Sequence, residues 1–118
     1  MGWMTYDGLT VDFDDRALAH LQIVIILRFR RGEPLTLSWV DSMHSGDGRS
    51  SLWMSPNFPV YFKFLGSRPP AIDTAWLDRL TESAASSIGL VLSDERGNPV
   101  FGTPHFINPG SRGAHASG

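Results

Sequence analysis

Asp14-Asp15-Arg16-Ala17-Leu18-Ala19-His20-Leu21-Gln22-Ile23-Val24-Ile25-Ile26-Leu27-Arg28-Phe29-Arg30-Arg31-Gly32 is the longest run of the chain that reads as one element, and it carries its own start and stop. Asp14 suits an N-cap and Asp15 adds negative charge to the first turn. Arg28, Arg30 and Arg31 crowd the last turn, and Gly32 stands where a left-handed residue closes a helix. The pattern predicts a helix of about five turns, roughly 25 Å long. At 100° per residue Leu18, Leu21, Val24, Ile25 and Phe29 form one apolar stripe, whereas Ile23, Ile26 and Leu27 fall largely outside it. A helix that is apolar on two sides needs two partners: the protein's own sheet, and either a terminal segment or the same helix of a second copy. The β-branched run 23–26 also fits a buried strand, but the caps and the length favour the helix.

On the N-terminal side, Asp7-Gly8 separates two short alternating runs, the signal of a two-residue hairpin with strands at about 3–6 and 9–13. On the C-terminal side, Gly32-Glu33-Pro34 turns the chain into Leu35-Thr36-Leu37-Ser38-Trp39-Val40, which alternates as a half-buried strand does. Residues 41–50 are polar with turn chemistry at Gly46-Asp47-Gly48, and Ser51-Leu52-Trp53-Met54 reads as the antiparallel return. After Pro56 and Pro59 comes a strand over 60–65. Pro69-Pro70 then precedes a second helix capped by Asp73, with Ala75, Trp76, Leu80, Ala84 and Ile88 on its apolar face and Gly89 at its end. Leu90-Val91-Leu92 suggests a final edge strand. From Gly97 the chain is rich in Gly, Pro, Ser and Asn, and Gly110 to Gly118 reads as a flexible tail.

The expected fold is α+β: an antiparallel sheet of about five strands in the order ββαβββα, hairpins joining neighbours and both helices on one face. One domain over 1–96 and an extended or flexible segment over 97–118 are expected.

Composition narrows the function. The chain has 118 residues, 42% hydrophobic and 19% charged, with a net charge of −2, a pI near 6.0 and no cysteine. Disulfides, thiolate metal sites and a cysteine nucleophile are excluded, and an acidic total argues against duplex nucleic acid as the main partner. Residues 1–13 hold two Asp and no basic residue, unlike a signal peptide, and the apolar run 23–27 is too short to cross a bilayer. The expectation is a cytoplasmic protein without a membrane partner.

No motif carries recognisable chemistry, and no cofactor, metal or catalytic residue is expected. Asp41, Ser45 and Asp47 imitate a calcium loop, but Met43 and Leu52 stand where ligands belong. His20, His44, His105 and His115 never pair at metal spacing. Gly46-Asp47-Gly48-Arg49 lacks the lysine of a phosphate loop. Two candidate surfaces remain. Arg28, Arg30, Arg31, Arg49 and Lys63 are candidates for anion or nucleic-acid binding, although the first three also answer to the helix terminus. Trp39, Trp53 and Tyr61, with Phe62 and Phe64, fall on strands expected to be adjacent. Any left on the open sheet face would serve as an interface or as a stacking platform for single strands.

Met4-Thr5-Tyr6-Asp7, the segment from Phe13 to Ile25, Arg30-Arg31-Gly32-Glu33, Ser38-Trp39, Gly46-Asp47-Gly48-Arg49, Tyr61-Phe62-Lys63-Phe64 and Gly66-Ser67-Arg68-Pro69-Pro70-Ala71 give the chain its resemblance to a family of small actinobacterial proteins of unknown function, frequently carried under the name ATP-dependent DNA ligase. The similarity spans about residues 4–92. A ligase forms its adenylate on the lysine of Lys-x-Asp-Gly, and the only lysine here, Lys63, stands in Lys63-Phe64-Leu65-Gly66, so ligase activity is rejected.

The leading expectation is a non-enzymatic binding or interaction module, homodimeric through the 14–32 helix or the sheet face. The alternatives are an accessory protein for single-stranded nucleic acid, and a small enzyme whose pocket gathers His20, Asp47, Arg49 or Lys63.

Overall fold

The computed structural model describes residues 1–43 and 48–106. Its elements are β1 (Gly2–Tyr6), β2 (Leu9–Phe13), α1 (Asp15–Arg30), β3 (Leu35–Asp41), β4 (Arg49–Met54), β5 (Val60–Lys63), α2 (Thr74–Ala85), β6 (Leu90–Val91) and β7 (Phe101–Phe106). The α+β class stands, with two helices against one sheet. That sheet is mixed and has seven strands, not about five.

The local rules held where the sequence stated them. Asp7 and Gly8 both take positive φ, 46° and 86°, and pair Tyr6 with Leu9 across a tight hairpin. The Asp14 carboxylate accepts from the N–H groups of Arg16 and Ala17, opening α1. At its other end the Gly32 N–H reaches the Phe29 carbonyl and the Glu33 N–H the Arg28 carbonyl, a double closure that needs the left-handed Gly32. Leu18, Leu21, Val24 and Ile25 are buried, as the stripe predicted.

Strand order departs from expectation. It runs β4-β3-β7-β2-β1-β5, with β6 also on β3, so β4 and β5 are opposite edges of the sheet and not a hairpin. Pro56 and Pro59 interrupt the chain between them, and Val60–Lys63 pairs with β1 instead. The second correction concerns direction: β6 and β7 both run parallel to β3, sharing its free edge in succession. α2 packs on β6 and β3 and returns the chain so that β6 enters in the β3 direction. It ends at Ala85, short of the expected Gly89, and Ile88 is left 72% exposed. Within the stretch expected to be extended, residues 101–106 form β7. That strand joins β2 to β3. Gly110 to Gly118 lies outside the described residues.

β7 passes from one half of the sheet to the other, with residues 101–102 on β3 and 103–106 on β2. Gly102 is the close-approach point, where a Cβ would come within 2.7 Å of both Phe13 Cε1 and Trp39 Cδ1. Those two rings meet edge to face, centroids 5.7 Å apart, so the inner faces of the two halves share one core with Trp76 and Leu80 of α2.

Candidate functional site

The five cations proposed from the sequence do not form one face. Arg28 donates from Nε and a terminal nitrogen to the Pro34 carbonyl at 3.2 and 3.0 Å and lies 3.5 Å from Glu33, completing the α1 terminus. Arg31 shares Glu33 at 3.5 Å. Arg49 and Lys63 are exposed on the two opposite edge strands. Arg30 enters no ion pair among the described residues and lines a groove beside α1.

The aromatics divide in the same way. Trp39 is only 2% exposed, with its indole N–H donated to Asp41 at 3.1 Å, and belongs to the core. Trp53 and Tyr61 are 65% and 56% exposed, but on β4 and β5, with no shared platform. Of the groups considered for catalysis, His20 is fully buried. Its Nε2 accepts from the Asp73 N–H at 2.9 Å, so the ring proton sits on Nδ1, 2.8 Å from the Arg16 carbonyl, and the ring stacks on Trp76 at 3.9 Å. It pins α2 to α1. Asp47, with His44, Ser45 and Gly46, lies outside the described residues, as does His115.

What the structure does assemble is a groove between α1 and the edge strand β5. One part, about 600 Å³, is lined by Ile26, Phe29, Arg30, Phe58, Val60 and Phe62. Beyond Gln22 it adjoins a second part of about 360 Å³, bordered by Ile23, Phe64, Arg68, Pro70 and Ile72. Ile26 is 39% exposed, and Phe58 and Ile72 are also open to solvent. Among the described residues no acidic side chain lines either part. Sequence reasoning found Arg30 and the apolar surplus of α1. It missed Phe58, Arg68 and Ile72, which stand on proline-interrupted segments with no periodicity to read.

The groove wall is fixed by Asp15. Its carboxylate accepts from the Gly66 N–H at 2.9 Å and the Leu65 N–H at 3.2 Å, tying the segment after β5 to the start of α1. The Gly66 hydrogen bond is the main cause that holds its pKa below the usual carboxylate value. Partial burial opposes this, while the Leu65 N–H and the Met1 ammonium, 3.6 Å away, add to it.

A further cavity of about 660 Å³ lies on the β3–β4 half, beside Arg49 and the Ser38–Ser51 hydroxyl pair at 2.7 Å. Among the described residues no group of three or more His, Asp or Glu is placed to hold a metal ion. Among the described residues no helix is long and apolar enough to cross a membrane.

No curated protein and no solved structure matches the chain. A family model does match, over residues 1–95, which include α1, α2 and every part of the groove described above: the chain belongs to the DUF7882 family, a domain of unknown function.

Proposed function

We propose that the protein is a non-enzymatic interaction module that docks a partner along the flank between α1 and β5. The observation that carries this reading is the gathering of solvent-open apolar side chains there, Ile26, Phe58 and Ile72, around the two adjoining parts of the groove. The groups that would have supported catalysis are dispersed: His20 is engaged in joining the helices, while Arg49 and Lys63 stand on opposite edges. The same dispersal weakens a role with single-stranded nucleic acid, which needs cations and stacking aromatics along one path.

A homodimer through α1 is the second reading, favoured by Leu27, 42% exposed beside Ile26 on the solvent side of that helix. Light scattering across a wide concentration range, paired with titration of an apolar fluorescent dye, tests both readings. The module reading expects the folded protein either to self-associate or to bind dye at neutral pH, and Ile26→Glu to weaken whichever is seen. A monomer at every concentration that binds no dye while folded overturns both.

A further inference from the structure

Resting on that reading, we infer that the groove takes an extended peptide segment of a partner protein, added as a strand to β5, with apolar side chains alternating with acidic ones.

β5 is the outermost strand, paired on one side only with β1. In an antiparallel ladder every second residue turns its N–H and C=O away from the neighbour, so β5 offers main-chain donors and acceptors to an incoming strand. Its side chains alternate. Val60 and Phe62 are half-buried on the groove side, whereas Tyr61 and Lys63 point to the other face, opposite Thr5 and Trp3. A strand laid beside β5 would obey the same alternation. One set of its side chains would enter the space bounded by Ile26, Phe29, Phe62 and Phe64, and that set must be apolar. The intervening set would lie beside Tyr61 and Lys63, where a carboxylate is favoured.

Charge selects the partner further. Arg30 lines one part of the groove, Arg68 borders the other and Lys63 stands on the strand itself. None of the three enters an ion pair among the described residues. With these three cations and, among the described residues, no acidic side chain lining the groove, an acidic segment is attracted and a basic one repelled. The same feature argues against a second copy as the occupant. The two strands that end the sheet order, Arg-Ser-Ser-Leu-Trp-Met and Val-Tyr-Phe-Lys, are basic and carry no acid, so pairing of these edges between two copies would set like charges together.

The test uses the full chain and a fluorescently labelled peptide of about eight residues alternating valine with glutamate, compared with its valine–lysine counterpart by anisotropy at low salt. The inference predicts saturable binding of the glutamate peptide and at least about tenfold weaker binding of the lysine peptide. Lys63→Glu, beside the acidic set, should remove most of the preference, while Arg96→Glu, an equal charge change away from the groove, should preserve it. Equal binding of the two peptides, or equal loss in the Arg96→Glu control, overturns the inference. If neither peptide binds and light scattering shows a homodimer that Ile26→Glu dissociates, the occupant is a second copy. That outcome overturns the inference and leaves the interaction module standing. If neither peptide binds and the protein is a monomer that takes up no apolar dye, both fall together.

Discussion

The phenolic oxygen of Tyr6 on β1 accepts from the Ser55 N–H at 2.8 Å and donates to the Ser55 carbonyl at 3.3 Å, although Ser55 follows β4. Strands β3, β7 and β2 stand between β1 and β4 in the sheet order. In a flat sheet those two strands would be about 19 Å apart, four inter-strand spacings, so the contact exists only because the sheet folds over. One buried hydroxyl serves both Ser55 main-chain groups, and the carbonyl has a longer second contact from the Phe58 N–H at 3.5 Å. Tyr6→Phe should therefore destabilise the protein by about 1–3 kcal/mol, read as a lower urea midpoint at unchanged slope. A change below a few tenths of a kcal/mol would mean that the clasp does not hold the bend.

At Gly102 the restriction is space. Gly102→Ala would put a methyl group against Phe13 and Trp39, and neither ring can retreat from a packed core without cost. A loss of about 1–3 kcal/mol is expected, with loss of near-ultraviolet tryptophan dichroism. Full retention of both would show that β7 can shift outward and that the two halves are not tightly joined there.

His20 links α1 to the cap of α2 through Nε2, and its burial leaves no water to replace it. His20→Ala should cost about 2–4 kcal/mol from the cavity, the lost stacking on Trp76 and the unpaired Asp73 N–H. His20→Gln, whose carbonyl oxygen reaches a similar point, should recover part of this. If alanine and glutamine behave identically, the hydrogen bond to Asp73 contributes nothing.

Asp15 gives a pH dependence whose sign is fixed. Its pKa is lowered in the folded state from an ordinary value of 3.8, so the folded protein favours the carboxylate. The resulting stability is present above the unfolded pKa and is lost as pH falls through the lower, folded value. Wild type should exceed Asp15→Asn in stability at neutral pH, and the gap should close in acid below about pH 3.8. A gap that persists undiminished to low pH would show that the ionised form is not what Gly66 and Leu65 hold.

The sequence disclosed what is decided within a few residues. The Asp14 cap, the Gly32 closure, the Asp7-Gly8 hairpin and the alternation of Leu35, Leu37 and Trp39 each follow from local sterics and hydrogen bonding. That alternation already placed Trp39 with two core leucines, against its inclusion among surface aromatics. Partner choice between distant strands was not legible. Nothing local in Val60–Lys63 says that it joins β1 and not β4. β7 was hidden because Pro104 and Gly102 resemble a loop. Pro104 lies beyond the part of β7 paired with β3, where only β2 flanks it, the edge setting in which a strand tolerates proline. The groove was half legible: the apolar excess of α1 predicted a second partner surface, while its far wall comes from segments ordered only by tertiary contacts such as Asp15 with Gly66.

The central claim, that the flank between α1 and β5 is a docking surface, is tested most directly by amide hydrogen exchange along Val60–Lys63, measured on the full chain with and without the valine–glutamate peptide. The account predicts that the outward-facing amides of β5 exchange readily in the free protein and slow by about tenfold or more on peptide addition, with α2 amides unchanged. Unaltered exchange along β5 at peptide concentrations that saturate the anisotropy signal would contradict it, because the peptide would then be bound somewhere else.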